Sequence, residues 1–415
     1  MSNRLLKSRS YLWLKISIIN LLIVSILGVT LRYKIAFALP FVDQKHLLHG
    51  HSHFAFSGWI TQALLALLVL HLSKRFETDM FRKYRWILIL NLVSAYGMLI
   101  AFPIQGYGAV SIFFSVLSIV ASYFFCWVYW KDLNKTNPHP SKLWIRASLI
   151  FFALSSLGAF SLAYMMAIHS VQQHWYLGSV YFFLHFQYNG WFFFAVLGLF
   201  CGTFIRMGIP SNKLRIIFIL FAGACVPAYF LSILWAEISM PIYILTVIAS
   251  IAQLVGWFWL VKLIWPKLSY FKREFVSLAR WLFGFSATAL TIKLLLQAGS
   301  VIPQLSTLSY GFRPIIIGYL HLVTLGIFTL FLLAYFIQKR LFRKSKVLIS
   351  GIIFFTTGII LNELLLMIQG IEGMNYEGVP YINEYLFTAA LIMFAGLLCI
   401  NLALKSPSES DSLAE

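Results

Sequence analysis

The residues best suited to chemistry lie in HLLHGHSHFAFSGW, residues 46–59, which puts four of the ten histidines (His46, His49, His51 and His53) within eight positions. Neutral imidazole is a common ligand for haem iron, copper and zinc, and its charge changes close to neutral pH. If the stretch is helical from Leu48 onward, His49 and His53 share one face about one turn apart, and His51 points to the other side. The spacing therefore makes His49 and His53 a candidate ligand face. Two further histidines interrupt apolar runs, His185 in FFLHFQYNGWFFFAVLG and His321 in PIIIGYLHLVTLGIFTLF.

The elements that must position these side chains follow from composition. Hydrophobic residues make up 60% of the 415-residue chain, aromatic residues 17% and charged residues 11%, with a mean hydropathy of +0.84. A soluble globular domain does not have this balance. Apolar runs of roughly 20 residues, the length of helix that crosses a ~30 Å hydrocarbon core, recur from one end of the chain to the other. They predict an all-α fold, a polytopic membrane helix bundle of about twelve transmembrane helices surrounded by the lipid bilayer. Residues 1–404 read as a single transmembrane domain and 405–415 as a short polar cytoplasmic tail. The first apolar run continues without a small-residue cleavage site, and the expectation is a retained first helix. No repeat of 20–50 residues stands out. The four cysteines, all in expected spans and without a CxxC pair, read as small core residues.

The net charge of +19 raises the question of nucleic-acid binding. Its distribution argues against it. With the N-terminus placed in the cytoplasm and the spans alternating, all of the 32 Lys and Arg fall on the inner side except Arg32, Lys34, Lys45, Lys293 and Arg313. That is the positive-inside pattern, and it predicts both termini inside and no nucleic-acid partner.

On this topology His53, His185 and His321 belong to spans 2, 6 and 10, near residues 48–72, 178–203 and 314–337. All three spans run from outside to inside. At 1.5 Å per residue, His53 lies ~8 Å and the other two ~10 Å within the outer boundary. Ionisable groups inside spans face a partner, a cavity or the bundle interior, so three at matched depth suggest a shared site. The plainer reading is that such a histidine hydrogen-bonds a neighbouring helix. Gln187 and Asn189, just after His185, are candidates to orient a ligand or bridge helices, and Glu363 with Asn362 in span 11 marks a candidate proton or ion path. Arg313, at the outer start of span 10, suits an anionic group such as a haem propionate or an interfacial anchor. His169, His174 and Tyr310 fall in outer loops.

Twelve spans, both termini inside and histidines in the outer parts of spans 2, 6 and 10 resemble subunit I of the haem-copper oxidases, the family that includes the nitric oxide reductases. In that family helices 2 and 10 hold a low-spin haem, a second helix 10 histidine a high-spin haem, and helices 6 and 7 a copper. The resemblance implies His53, or His49, and His321 as the haem pair, with His185 matching the helix 6 copper ligand. This chain departs from the pattern in two places. Span 7 has no histidine, and Tyr319 stands where the second histidine of an HxH pair in span 10 would be. The chain also resembles the NnrS proteins, haem- and copper-containing membrane proteins of twelve spans linked to nitric oxide metabolism.

These resemblances imply an integral protein of a bacterial inner (plasma) membrane that binds haem, with copper as the further metal. The cofactor-binding residues would be His53, His321, His49 and Arg313, and the metal ligands His185, His51 and His49. The implied role is electron transfer or diatomic-gas handling, as an oxidoreductase without the complete oxygen-reducing site, with a redox partner on the outer face. The alternatives are a metal-free transporter or channel with an outer His/Glu pathway, and a scaffold or assembly factor with a vestigial site.

Overall fold

The computed structural model describes residues 2–170, 172–306, 312–375 and 378–405. Tyr310 and the tail residues 406–415 lie outside them. Eleven helices among the described residues are long and apolar enough to cross a membrane: α1 (Ser8–Ala36), α2 (Gln44–Phe76), α3 (Phe81–Gln105), α4 (Ala109–Lys135), α5 (Ser141–Ala167), α6 (Gln173–Arg206), α8 (Met240–Glu274), α9 (Ser277–Gly299), α10 (Arg313–Gln338), α11 (Lys346–Met374) and α12 (Ile382–Leu402). The twelfth, α7, is a pair, Ser211–Cys225 and Pro227–Ile233, bent by 45°. No strand forms among these residues beyond an isolated bridge between Phe342 and Leu404. The protein is a polytopic membrane helix bundle, as its hydropathy predicts.

The second helix begins earlier than its apolar run does, because a polar residue caps its first turn. α2 starts at Gln44, where the Asp43 carboxylate accepts the His46 amide at 2.8 Å. That N-cap brings all four clustered histidines into the helix. α8 runs past its apolar stretch through a 3-10 turn at Trp265–Lys267 into a short helix, Leu268–Glu274, within the basic aromatic segment.

The described backbone divides into two compact units, one made of the described residues up to 127 and from 331 onward, the other of those in 128–330. In the first, α1 packs on α12, α2 on α3, and α11 on α12. The α11–α12 pair is close because small residues face each other. A Cβ on Gly396 would lie 2.5 Å from the Phe355 amide nitrogen, and one on Gly358 2.5 Å from Met393 Cγ. Without a hydrophobic force between helices in lipid, such backbone approach and its dispersion contacts supply the attraction.

In the second unit α5 packs on α6, α7 on α8, and α9 on both α8 and α10. Gly158 of α5 meets the α6 backbone, since a Cβ there would come within 2.5 Å of the Ser179 carbonyl. The helices differ in enclosure. The apolar windows of α2 and α6 are 83% and 89% buried, against 22–44% for the other single helices, so these two are the ones walled by protein rather than by lipid.

Candidate functional site

Spans 2, 6 and 10 share a local feature that the other helices lack among the described residues. Each passes from α-helix into a wider π-helical stretch: Ala55–Thr61 in α2, Phe186–Phe192 in α6 and Leu322–Thr329 in α10. The candidate histidines stand at these junctions, His185 and His321 immediately before the widening and His53 two residues before it. Stretches of π-helix are uncommon and concentrate at functional positions. The sequence carries the signal in a short form, HFAFSGW from His53, HFQYNGW from His185 and HLVTLGI from His321, each a histidine followed five residues later by glycine. At seven residues the pattern is far shorter than a structural repeat of 20–50 residues.

Widening a helix removes some carbonyls from their usual amide partners, and in a membrane no water replaces them. Polar side chains do so here. In the first unit the Asn20 amide of α1 donates to the Gly58 carbonyl at 2.6 Å, Asn91 of α3 to the Ser57 carbonyl at 3.1 Å, and the Ser57 hydroxyl to the His53 carbonyl at 2.6 Å. In the second unit Ser286 of α9 donates to the Ile327 carbonyl of α10 at 2.8 Å, and the Cys225 thiol of α7 faces the Asn189 carbonyl of α6 at 3.7 Å. The glycines are needed for contact. A Cβ on Gly190 would lie 2.5 Å from Phe151 Cβ, and one on Gly326 3.1 Å from Ala289 Cβ.

On α2 the histidines divide as the helical periodicity predicts. His49 and His53 face the end of α3 and the turn after it. The His53 ring stacks on Phe102 at 4.4 Å and 14°, and His49 meets Tyr107 edge-on at 4.7 Å. That end of α3 is shaped to receive them. Gly50 seats α2 on Pro103, where a Cβ would come within 3.0 Å, and Gly106, at φ +59°, turns the chain so that Tyr107 closes the face. His51 lies on the opposite side, against Gly28 and the Val24 backbone of α1. On that side Arg32 of α1 lies within electrostatic reach of His51 and of Glu363 on α11, whose carboxylate accepts the Asn362 amide at 3.0 Å.

These imidazoles keep unused valence. His49 Nε2 and His51 Nδ1 are buried and without a hydrogen-bond partner, and His53 Nε2 meets the Tyr107 hydroxyl at a long 3.5 Å. A buried polar atom left unpaired costs stability, and its presence points to a role beyond packing.

His185 is different. It is fully buried, and both ring nitrogens are engaged. Nε2 lies 2.8 Å from the Cys225 carbonyl, and Nδ1 lies 3.1 Å from the Asn189 side-chain nitrogen. A carbonyl only accepts and an amide NH2 only donates, so the ring is neutral with its proton on Nε2. The sequence explains why the Cys225 carbonyl is open. Pro227 bends α7, the helix tightens into a 3-10 turn, and the Tyr229 amide bonds Val226 instead, at 3.1 Å. Asn189 is held in turn by Lys293 of α9, whose ammonium donates to its side-chain oxygen at 2.6 Å. Lys293 is 4% exposed, and in the sequence it stands out only as an exception to the positive-inside pattern. Gln187 bridges to Ser155 of α5 at 2.9 Å, so both amides that follow His185 join helices.

The remaining candidates are more dispersed. His321 sits half-buried in α10 two residues after Tyr319, which meets Tyr188 of α6 edge-on at 6.3 Å between ring centres. Arg313 is exposed at the first position of α10, before Pro314. His139, just before α5, accepts the Ser141 amide at 3.2 Å, and His174 packs on Trp235 at 5.5 Å. Among the described residues no three His, Cys, Asp or Glu side chains gather to hold a metal ion.

No family model matches the chain. No curated protein matches it either. Among solved structures, chains that match include one from the cryo-electron-microscopy structure of a haem-copper terminal oxidase dimer, at a TM-score of 0.69 and 11% identity, over 97% of this chain and 84% of that one. At that identity the likeness establishes the fold.

Proposed function

We propose that the protein is a haem-binding membrane protein of the oxidase subunit I type, with an electron-transfer or diatomic-gas-handling role, and that His53 is its first axial ligand. The observation that carries this is the contrast between the two histidine settings. The α2 face has one ring nitrogen without a partner, His49 Nε2, and a second, His53 Nε2, met by the Tyr107 hydroxyl at a long 3.5 Å, with flat aromatic walls, Phe102 and Tyr107, beside them. A haem needs both. His49, one turn earlier on the same face, is the alternative ligand. The resemblance implies His321 as the second haem histidine, and Arg313, at the outer start of span 10, suits a propionate. Bound haem would supply a one-electron iron couple and, with one axial position open, a place for a diatomic gas.

In this reading the chain's own residues hold and orient. Asp43 fixes the start of α2, Asn20, Asn91 and Ser57 pin the π-helical stretch below His53, and Phe102 keeps the His53 ring flat against α3. The positive-inside charge pattern puts this face toward the outer side, where a redox partner would dock. The copper centre of the oxidases does not fit this chain, because His185 has both nitrogens bonded and α7 supplies no histidine.

Visible spectra of the purified chain, oxidised and reduced, test the reading. A Soret band is expected in the wild type and in His51→Ala, and its loss in His53→Ala. A band that survives as a five-coordinate species in His321→Ala identifies the second ligand. A colourless wild type, purified from cells supplied with haem, sinks the reading. Such a protein would favour a metal-free proton or solute route, for which the Arg32, Glu363 and Asn362 group beside His51 is the supporting feature, with flux lost in Glu363→Gln.

A further inference from the structure

The geometry points to a metal-free polar centre in the unit of residues 128–330: His185 is a positioning residue that clamps bent α7 to α6, and the positive charge at this centre belongs to Lys293. The chain of bonds is continuous and directional. Lys293 Nζ donates to Asn189 Oδ1 at 2.6 Å, Asn189 Nδ2 donates to His185 Nδ1 at 3.1 Å, and His185 Nε2 donates to the Cys225 carbonyl at 2.8 Å. Two helices besides α6 complete it: α9 supplies the charge and α7 the terminal acceptor.

Each bond closes the ring to a metal ion for a separate reason. Ligation through Nε2 would strand the Cys225 carbonyl, which the 3-10 turn from Pro227 has already deprived of the Tyr229 amide. Ligation through Nδ1 would strand the Asn189 amide. Either loss leaves a buried polar group unpaired where no water is at hand. The neighbouring ammonium adds repulsion against any cation, strengthened by the low dielectric around side chains that are fully buried or 4–7% exposed. His185 thus occupies the place of a copper ligand by resemblance and does the work of a hydrogen-bonding helix anchor.

This inference goes beyond the haem reading and stands or falls separately, because its readouts are copper, zinc and the His185 ring rather than haem absorbance. The full chain, labelled with ring-15N histidine and purified in detergent, is incubated with copper(I) or zinc(II), desalted and assayed for metal per chain. His185→Gln, whose side-chain NH2 keeps a donor for Cys225, assigns the His185 signals by their disappearance. The expected result is one protonated and one bare ring nitrogen in His185, unmoved by either metal, with equal metal content in wild type and variant. A wild type that holds one metal ion more than His185→Gln, or His185 signals that shift on loading, overturns the inference. Should His185→Gln fail to fold, Lys293→Met serves: it removes the repulsion but frees neither nitrogen, so its metal content stays at the wild-type level. A metal ion gained by that variant shows that the hydrogen bonds do not close the ring, and overturns the inference as well.

Discussion

His185 donates its Nε2 proton to the backbone carbonyl of Cys225 across 2.8 Å, a carbonyl that lies two residues before Pro227 at the 45° bend of α7. A proline that bends one helix thus determines the valence of a histidine on another. Removing the imidazole should therefore cost stability rather than cofactor. His185→Leu strands the Cys225 carbonyl and the Asn189 amide, at about 1–3 kcal/mol for each group. Thermal unfolding in detergent is expected to show the loss, with the visible spectrum unchanged. His53→Ala should behave in the opposite way.

The glycines of the π-helical stretches differ in what surrounds them. A methyl group on Gly190 would meet Phe151 Cβ at 2.5 Å, close to the α5 backbone, whereas one on Gly326 would meet Ala289 Cβ at 3.1 Å. Overpacking costs about 1–3 kcal/mol where the neighbour cannot withdraw. Gly190→Ala is expected to lower the unfolding temperature clearly more than Gly326→Ala, and equal shifts would contradict this account.

Polar groups that complete the π-helical stretch of α2 should outweigh a surface ion pair. Asn20 donates to the buried Gly58 carbonyl and accepts from the part-buried Tyr96 hydroxyl at 2.7 Å, so Asn20→Leu strands the carbonyl, at about 1–3 kcal/mol, and leaves the hydroxyl without this acceptor. Arg9 pairs with Asp79, but with 42% of its side chain exposed. Arg9→Ala should cost no more than about 1 kcal/mol. Parallel unfolding curves of the two variants check the ranking.

The start of α2 should be sensitive to acid. The His46 backbone amide, bonded to the Asp43 carboxylate, holds that carboxyl below its usual range, helped by the charges of His46 and Lys34. A depressed folded value means that the cap's contribution is fully present above the unfolded carboxyl range, about 3.9, and is lost as pH falls through the lower folded value. The stability gap between wild type and Asp43→Ala is expected to stay level from neutral pH down to about 4 and to close below it. A gap that widens in acid would exclude the assignment.

Much of this protein is legible in its sequence because the governing interactions are local. Apolar runs of membrane-spanning length determine an all-helical bundle and the number of its helices, since a backbone in lipid must satisfy itself. Helical periodicity places His49 and His53 on one face and His51 on the other, and the observed contacts with Phe102, Tyr107 and Gly28 follow it. The π-helical stretches were less accessible, although the His-x4-Gly pattern marks all three.

The valence of each histidine depended on tertiary structure. His53 and His185 are followed by nearly the same letters, HFAFSGW and HFQYNGW. One faces two aromatic rings, with Nε2 3.5 Å from the Tyr107 hydroxyl. The other meets a carbonyl opened by Pro227, forty-two residues further along, and an asparagine held by Lys293 of α9. No local spacing encodes those encounters, because hydrogen bonds between helices depend on which faces the packing brings together.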